Sequence, residues 1–432
     1  MTAAVPDREL GAQTVGPAGE GPRPPVGDTA RPPADGAPRP SAAPQAAEVA
    51  RTALDWVYDH LPCFALPEDV LAPDVLVDRT WKPLGELAQL GDGIRRHTTS
   101  GPARRRAAEL LEFAWGQTRR GSLLLEQLRA EPMSTYPLEI YAAFRSAGFR
   151  HPAFEELART LARTRSWAHT EQDPTRRLGI LNAEHRTGLP LHAPPLTALH
   201  RTWLGSLPEP WMFERSAGYA LTHVVFHLTD WGNAPHRMPT RLARYLHHWL
   251  PAWLDSCLEE ELWDLAGELL AVAAGLPTPV PARTVEPAWA RLAAAQDAAG
   301  GLCEVGPSRR GDTVEPGFAH CYHSTLVAAY AATLTTARLY GVPPPVSLTA
   351  TVLPGPETAP PGDAPCPSAS RPRPPAPPRR TDRTPWTPRS STASACGPWS
   401  GCTSTGRDSA WSRTPTPRRA SSTASNPSAK SP

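Results

Sequence analysis

Residues 217–232 read AGYALTHVVFHLTDWG, and the spacing of their polar groups decides how the rest of the chain is read. Tyr219, His223, His227 and Asp230 fall at i, i+4, i+8 and i+11, which places them on one stripe of a helix. Leu221, Val224, Val225 and Leu228 cover the surface around that stripe. Polar groups on so apolar a helix need partners inside the protein, in a cavity or a packed interface.

Working outward, apolar residues recur at intervals of three and four, and prolines and glycines mark where helices start and stop. Helices are predicted at 47–61, 81–95, 102–118, 121–130, 136–147, 152–167, 174–187, 195–206, 213–230, 239–255, 259–275, 286–298 and 318–340. Period-two alternation of β-branched residues is lacking, so the expected fold is all-α. Short connections between so many helices imply stacked helical hairpins, and the lack of a strict repeat favours a ring closed into an α/α toroid over an open solenoid. The tryptophans at 203, 211, 231, 249, 253, 263 and 289 read mainly as packing between helices.

The ends differ from the middle. With 54 prolines among 432 residues, part of the chain cannot be globular. Residues 1–44 are rich in Pro, Ala and Gly and hold no aromatic side chain, so they are expected to be disordered. Residues 45–341 form the helical domain, and residues 342–432 turn abruptly to Pro, Ser, Thr and Arg and are expected to be disordered too. So sudden a change is also what a shifted reading frame in GC-rich DNA would produce. This last segment carries 11 basic and 4 acidic residues, but they are dispersed and its aromatics have no register, so no nucleic-acid partner is expected.

Only Lys82 and Lys430 are lysine, against many arginines, the usage of a GC-rich, actinomycete-like genome. A single core lysine leaves little room for Schiff-base chemistry, and no phosphate-binding glycine loop is present. Seven irregularly spaced cysteines without a C-x-x-C argue for reduced thiols rather than a disulfide framework or zinc ribbon. There is no signal-like start and no apolar run of membrane length, so a soluble, cytoplasmic protein without a membrane partner is expected.

Three clusters could carry chemistry. His223 and His227 have the spacing with which two imidazoles grip one metal ion, and Asp230 would be a third ligand or orient a ring. His320 and His323 open the last helix on either side of Cys321 and Tyr322, and His323 could complete a zinc site with the other two. Asp264 and Glu268 share a face of a very apolar helix and could act as acid and base or as metal ligands. Cys303, in GGLCEVGP, is a weaker candidate nucleophile with no base near it in sequence. Each cluster also has a structural reading, as a buried network whose groups satisfy one another.

The segment Trp289 to Leu302, WARLAAAQDAAGGL, followed by Phe318 and then Tyr322-His323-Ser324-Thr325 at a helix start, resembles the repeat of the terpene cyclases and protein prenyltransferases. The resemblance implies an α/α toroid, and it makes His323 the counterpart of a zinc-binding histidine in the prenyltransferase β subunits. It covers only residues 289–330. The Asp-x-Cys that supplies the other zinc ligands in that family is missing, as is the D-x-D-D acid motif of class II cyclases. The chain also resembles an uncharacterised actinobacterial family of toroid-like architecture, and by analogy this resemblance implies a link to natural-product biosynthesis. Two functions therefore stand: an apolar cavity that binds or processes a small apolar or peptide substrate, with zinc as the possible cofactor, or a non-catalytic helical scaffold.

Overall fold

A computed structural model describes residues 42–72, 75–310 and 317–341, and among them the regular structure is entirely helical. The α-helices are α1 (Ala42–Asp59), α2 (Trp81–His97), α3 (Gly101–Gln117), α4 (Ser122–Ala130), α5 (Tyr136–Ala147), α6 (Pro152–Leu161), α7 (Arg165–Ala168) and α8 (Pro174–Thr187). They continue as α9 (Pro195–Leu199), α10 (Arg215–Leu228), α11 (Thr240–Glu259), α12 (Trp263–Gly275), α13 (Ala282–Ala295), α14 (Pro307–Arg310) and α15 (Phe318–Leu339). Of the segments expected to be disordered, residues 1–41 and 342–432 lie outside the described residues.

Local chemistry explains the boundaries. At α8 the Asp173 side chain accepts hydrogen bonds from the backbone N–H groups of Thr175 and Arg176, Pro174 fills the first turn, and Gly188 ends the helix at φ +71°. The same signals bound α5, where Pro137 lies in the first turn and Gly148 stands at φ +104°. One proline misleads. Pro287 lies inside α13, which begins four residues before the boundary that proline suggested, whereas Pro251 lies inside α11 as the predicted helix 239–255 has it. The predicted helix 152–167 is two, interrupted before Thr164, whose side chain caps α7.

The order of packing decides which side chains can meet. α2 packs on α5, α5 on α8, α8 on α10, α10 on α12, α12 on α15, and α15 back on α2. α1 and α3 lie outside this cycle, against α15 and α2, and α11 lies against α12. The cycle's helices are buried on nearly every side: α12 is buried from Trp263 to Gly275, and α15 from Ser324 to Thr335. Helices apolar all round belong at a centre. α2 approaches α15 so closely at Gly93 that a Cβ there would lie 2.7 Å from the Tyr330 ring.

Polar side chains on central helices can only meet one another. They collect in two places, one sealed and one open. In the sealed group Asp92 of α2 accepts from Arg95, Arg96 and Ser146 at 2.8, 2.9 and 2.6 Å, and from Arg186 of α8 at 3.0 Å. Arg186 also donates to Gln89 at 2.5 Å and pairs with Asp230 at 3.3 Å.

Candidate functional site

The open group lies where α2, α12 and α15 begin, a place whose helix dipoles favour negative charge. Three helices each contribute a pair at i and i+4: Lys82 and Glu86 from α2, Tyr219 and His223 from α10, and Asp264 and Glu268 from α12. α15 adds Tyr322 and His323, and the segment before α14 adds Glu304. Together they line a cavity of about 590 Å³. Asp78, Arg79 and His320 join these ionisable groups, and Phe318, Pro83 and Ala319 lie among them.

His323 is the hub. Its Nδ1 lies 2.8 Å from Glu86 Oε2, and its Nε2 lies 3.3 Å from Glu268 Oε1 and 3.6 Å from Asp264 Oδ1. The two carboxylates facing Nε2 are held from behind: the Tyr219 hydroxyl donates to Asp264 Oδ2 at 2.7 Å, and the Thr222 hydroxyl donates to Glu268 Oε2. The Asp264 N–H, left without an intrahelical partner in the first turn of α12, donates to the Glu304 carbonyl at 3.1 Å. Asp264 Oδ1, which faces His323, accepts no hydrogen bond although the residue is only 4% exposed.

Charge follows from this geometry. Burial disfavours a charged His323 ring, but the carboxylates of Glu86, Asp264 and Glu268 outweigh it and hold its pKa well above the usual histidine range. Burial raises the Asp264 carboxyl. It works the same way on Glu268, where hydrogen bonds from His323 and Thr222 and the proximity of His223 prevail and lower it. His223 is pushed down by burial and stays neutral, its Nε2 3.8 Å from Glu268 Oε1. Lys82 is kept charged: burial opposes the charge, and the nearby Glu86, Asp78, Asp264 and Glu304 outweigh burial.

Of the residues nominated from sequence, Tyr219, His223, Asp264, Glu268, His320 and His323 line this one cavity, with His320 exposed at its edge. His227 and Asp230 do not. His227 sits one turn further along α10 against α8, where a Cβ at Gly179 would lie 3.0 Å from its Nε2, and it borders a separate space of about 20 Å³. Asp230 lies beyond the end of α10 with φ +51°, and it pairs with Arg186 rather than orienting an imidazole. The three-histidine zinc site is therefore not assembled. Among the described residues, Asp264, Glu268 and His323 form the group able to hold a metal ion, their ligand atoms all within 4.8 Å of one another. Glu86, Lys82, Glu304 and Tyr322 are members of the site that sequence reading did not single out.

A model of the family described as "Domain of unknown function (DUF6895)" matches residues 50–333. The chain belongs to that family. No curated protein and no solved structure matches it. None of these comparisons supports the resemblance of residues 289–330 of this DUF6895 domain to terpene cyclases and prenyltransferases. There the Gln-Asp-x-x-Gly-Gly motif makes a turn: Asp297 Oδ1 accepts from the Ala299 and Gly301 N–H groups, and Gln296 donates to the Gly300 carbonyl. Gly300, at φ +94°, lies against Thr52 of α1, so the motif acts in packing. Among the described residues of this DUF6895 member, no helix is long and apolar enough to cross a membrane.

Near Trp231 the DUF6895 domain also buries two neutral histidines. Burial pushes His97 down to about 4 and His227 down to about 3. Their folded pKa values lie below the unfolded value, so the stability tied to their neutral form is complete above about pH 6.5 and is lost as pH falls toward 4 and 3. Each contributes a slope of roughly 1.4 kcal/mol per pH unit in that window. Urea unfolding from pH 7 to pH 4.5 is expected to show it, with a shallower slope for His97→Gln than for the parent. An unchanged slope would mean that His97 accepts a proton in the folded state.

Proposed function

We propose that the chain binds one divalent cation at Asp264, Glu268 and His323 and uses it to process a small substrate held in the cavity. The observation that carries this reading is the division of labour within each group. One atom of each is tied back, by Tyr219, Thr222 or Glu86, while the other is directed at a common point. Separations of 3.3 and 3.6 Å between Nε2 and the two oxygens suit donors sharing one ion. Metal–ligand bonds of about 2.1 Å at tetrahedral or octahedral angles put donors about 3.0–3.5 Å apart. One imidazole and two carboxylates suit a first-row ion such as zinc or manganese.

A cation so held would polarise a carbonyl or phosphoryl oxygen, or lower the pKa of a bound water. The protein's own groups supply the rest. Glu86 would hold the proton of Nδ1, so that an ion displacing the Nε2 proton would meet a lone pair facing the carboxylates, the outer-shell role typical of histidine ligands. Lys82, charged and partly buried in the wall, suits an anionic group such as the carboxylate of a peptide or small acid. Tyr219, Tyr322 and Phe318 offer apolar surface, and about 590 Å³ is within the usual range for small-molecule sites. We read the cycle of six helices as the inner ring of an α/α toroid with the site at one end.

The scaffold reading applies better to the Asp92–Arg186 group, which is sealed and closely paired. The Asp264 cluster opens to a cavity and leaves a buried carboxylate oxygen without a hydrogen bond. The test is metal content by mass spectrometry of the full chain purified untagged and without chelator, followed by calorimetric titration of the chelated protein with zinc and with manganese. One ion per chain is expected. A folded protein that takes up neither would leave the cluster as a proton site and overturn the proposal.

A further inference from the structure

Cys303 and Cys321 lie beside the cavity but belong to no part of the Asp264–Glu268–His323 cluster. Their Sγ atoms are 3.2 Å apart. A disulfide needs about 2.05 Å, a further approach of little more than 1 Å, within the reach of small side-chain rotations. The backbone already holds the two segments together: Leu302 N–H donates to the Thr325 hydroxyl at 2.9 Å, and Glu304 N–H donates to the His320 carbonyl at 3.1 Å. Cys303 is partly exposed and Cys321 is 4% exposed, so a reagent meets Cys303 first.

We propose that Cys303 and Cys321 are a reversible dithiol–disulfide pair that staples the 302–304 segment to the first turn of α15. With a small disulfide as oxidant, the Cys303 thiolate attacks one of its sulfurs and expels a small thiolate, leaving a mixed disulfide. Cys321 then attacks Cys303 Sγ and expels the second small thiolate. The protein loses two thiol protons and two electrons, and the small disulfide becomes two thiols. Thus the irregular cysteine spacing, which reads as a set of reduced thiols, conceals one pair that folding brings together.

The position gives the bond a consequence. Glu304 follows Cys303 directly, its carbonyl receives the Asp264 N–H, and His323 lies two residues after Cys321. The staple would join the segment that carries Glu304, to which the Asp264 N–H donates, to the turn that carries His323, and restrain their relative movement. That effect on turnover rests on the proposed metal-dependent function, whereas the bond itself does not, so the experiment reads the bond.

The full chain is treated with excess oxidised glutathione, alkylated, digested with trypsin without reduction and mapped by mass spectrometry. Cleavage at Arg291, Arg309 and Arg310 puts Cys303 and Cys321 in different peptides, so their bond appears as a cross-linked pair that dithiothreitol separates. The expected result is that pair in most molecules, with Tm raised by about 5 °C, and its absence in both C303S and C321A. If both cysteines stay alkylatable, if glutathione remains on Cys303, or if either joins Cys63, Cys257, Cys366, Cys396 or Cys402 instead, the proposal is wrong.

Discussion

Replacing Asp92 by alanine is expected to lower the stability of the fold by about 3–5 kcal/mol. Asp92 is fully buried and answers three guanidinium groups at once. Burial works to raise its carboxyl, but Arg186, Arg96, the Ser146 hydroxyl and Arg95 outweigh it and hold it below the usual carboxylate range. Its folded pKa is depressed, so this stabilisation is complete above about pH 4 and fades as pH falls through the folded value. The three arginines do not lose equally. Arg95 and Arg96 keep 29% and 18% of their side-chain surface and can turn toward water, whereas Arg186 keeps 5% and would be left with Asp230 as its carboxylate and the neutral Gln89 and Ser146. Most of the cost is therefore the stranded charge of Arg186. Guanidinium unfolding at pH 7 checks this, and the double variant Asp92→Leu with Arg186→Met separates the causes by regaining much of what the single change loses. A loss below about 1 kcal/mol would show that water reaches Arg186 readily.

The helices were legible because each carries its own punctuation. Asp173-Pro174 at the start of α8 and Gly188 at its end act within one turn of where they stand, so no tertiary information is needed. Pro287 misled because a proline inside a helix and one in its first turn look alike when the preceding residues also suit a helix. The site was legible by face and not by depth. His223 and His227 share a face of α10, but four residues carry a side chain about 6 Å along the axis. At that distance His223 meets the starts of α12 and α15 while His227 meets α8. Asp230 was placed on the stripe by extending a helix that ends at Leu228. Nothing local marks Glu86, because Lys82 and Glu86 at i and i+4 have the spacing of any surface ion pair on a helix. Only the packing of α15 on α2 makes Glu86 a partner of His323.

That partnership gives the prediction with the sharpest contrast. His323→Ala removes the only nitrogen among the three proposed ligands, and affinity for zinc or manganese is expected to fall by more than about 100-fold, since two carboxylates alone hold such ions weakly. Glu86→Gln leaves all three ligand atoms in place. Glutamine can still accept from Nδ1–H, but without the charge that makes the imidazole a better donor, and it can rotate to offer its NH₂ group instead. A loss of about 10–100-fold in affinity is expected. Glu86 is 1% exposed and touches His323 at 2.8 Å, so its effect must pass through the ring rather than through the ion. Calorimetric titration of both variants beside the parent measures this, with circular dichroism to establish that the helices remain. If His323→Ala abolishes binding and Glu86→Gln weakens it, the imidazole is a ligand steered from behind. If Glu86→Gln binds as tightly as the parent, then His323 is oriented by Asp264 and Glu268 alone, and the outer-shell role assigned to Glu86 fails. Tighter binding in Glu86→Gln would mean that the ion competes with the proton that Glu86 helps to hold on the ring, and the cluster would then be protonated whenever the ion is absent.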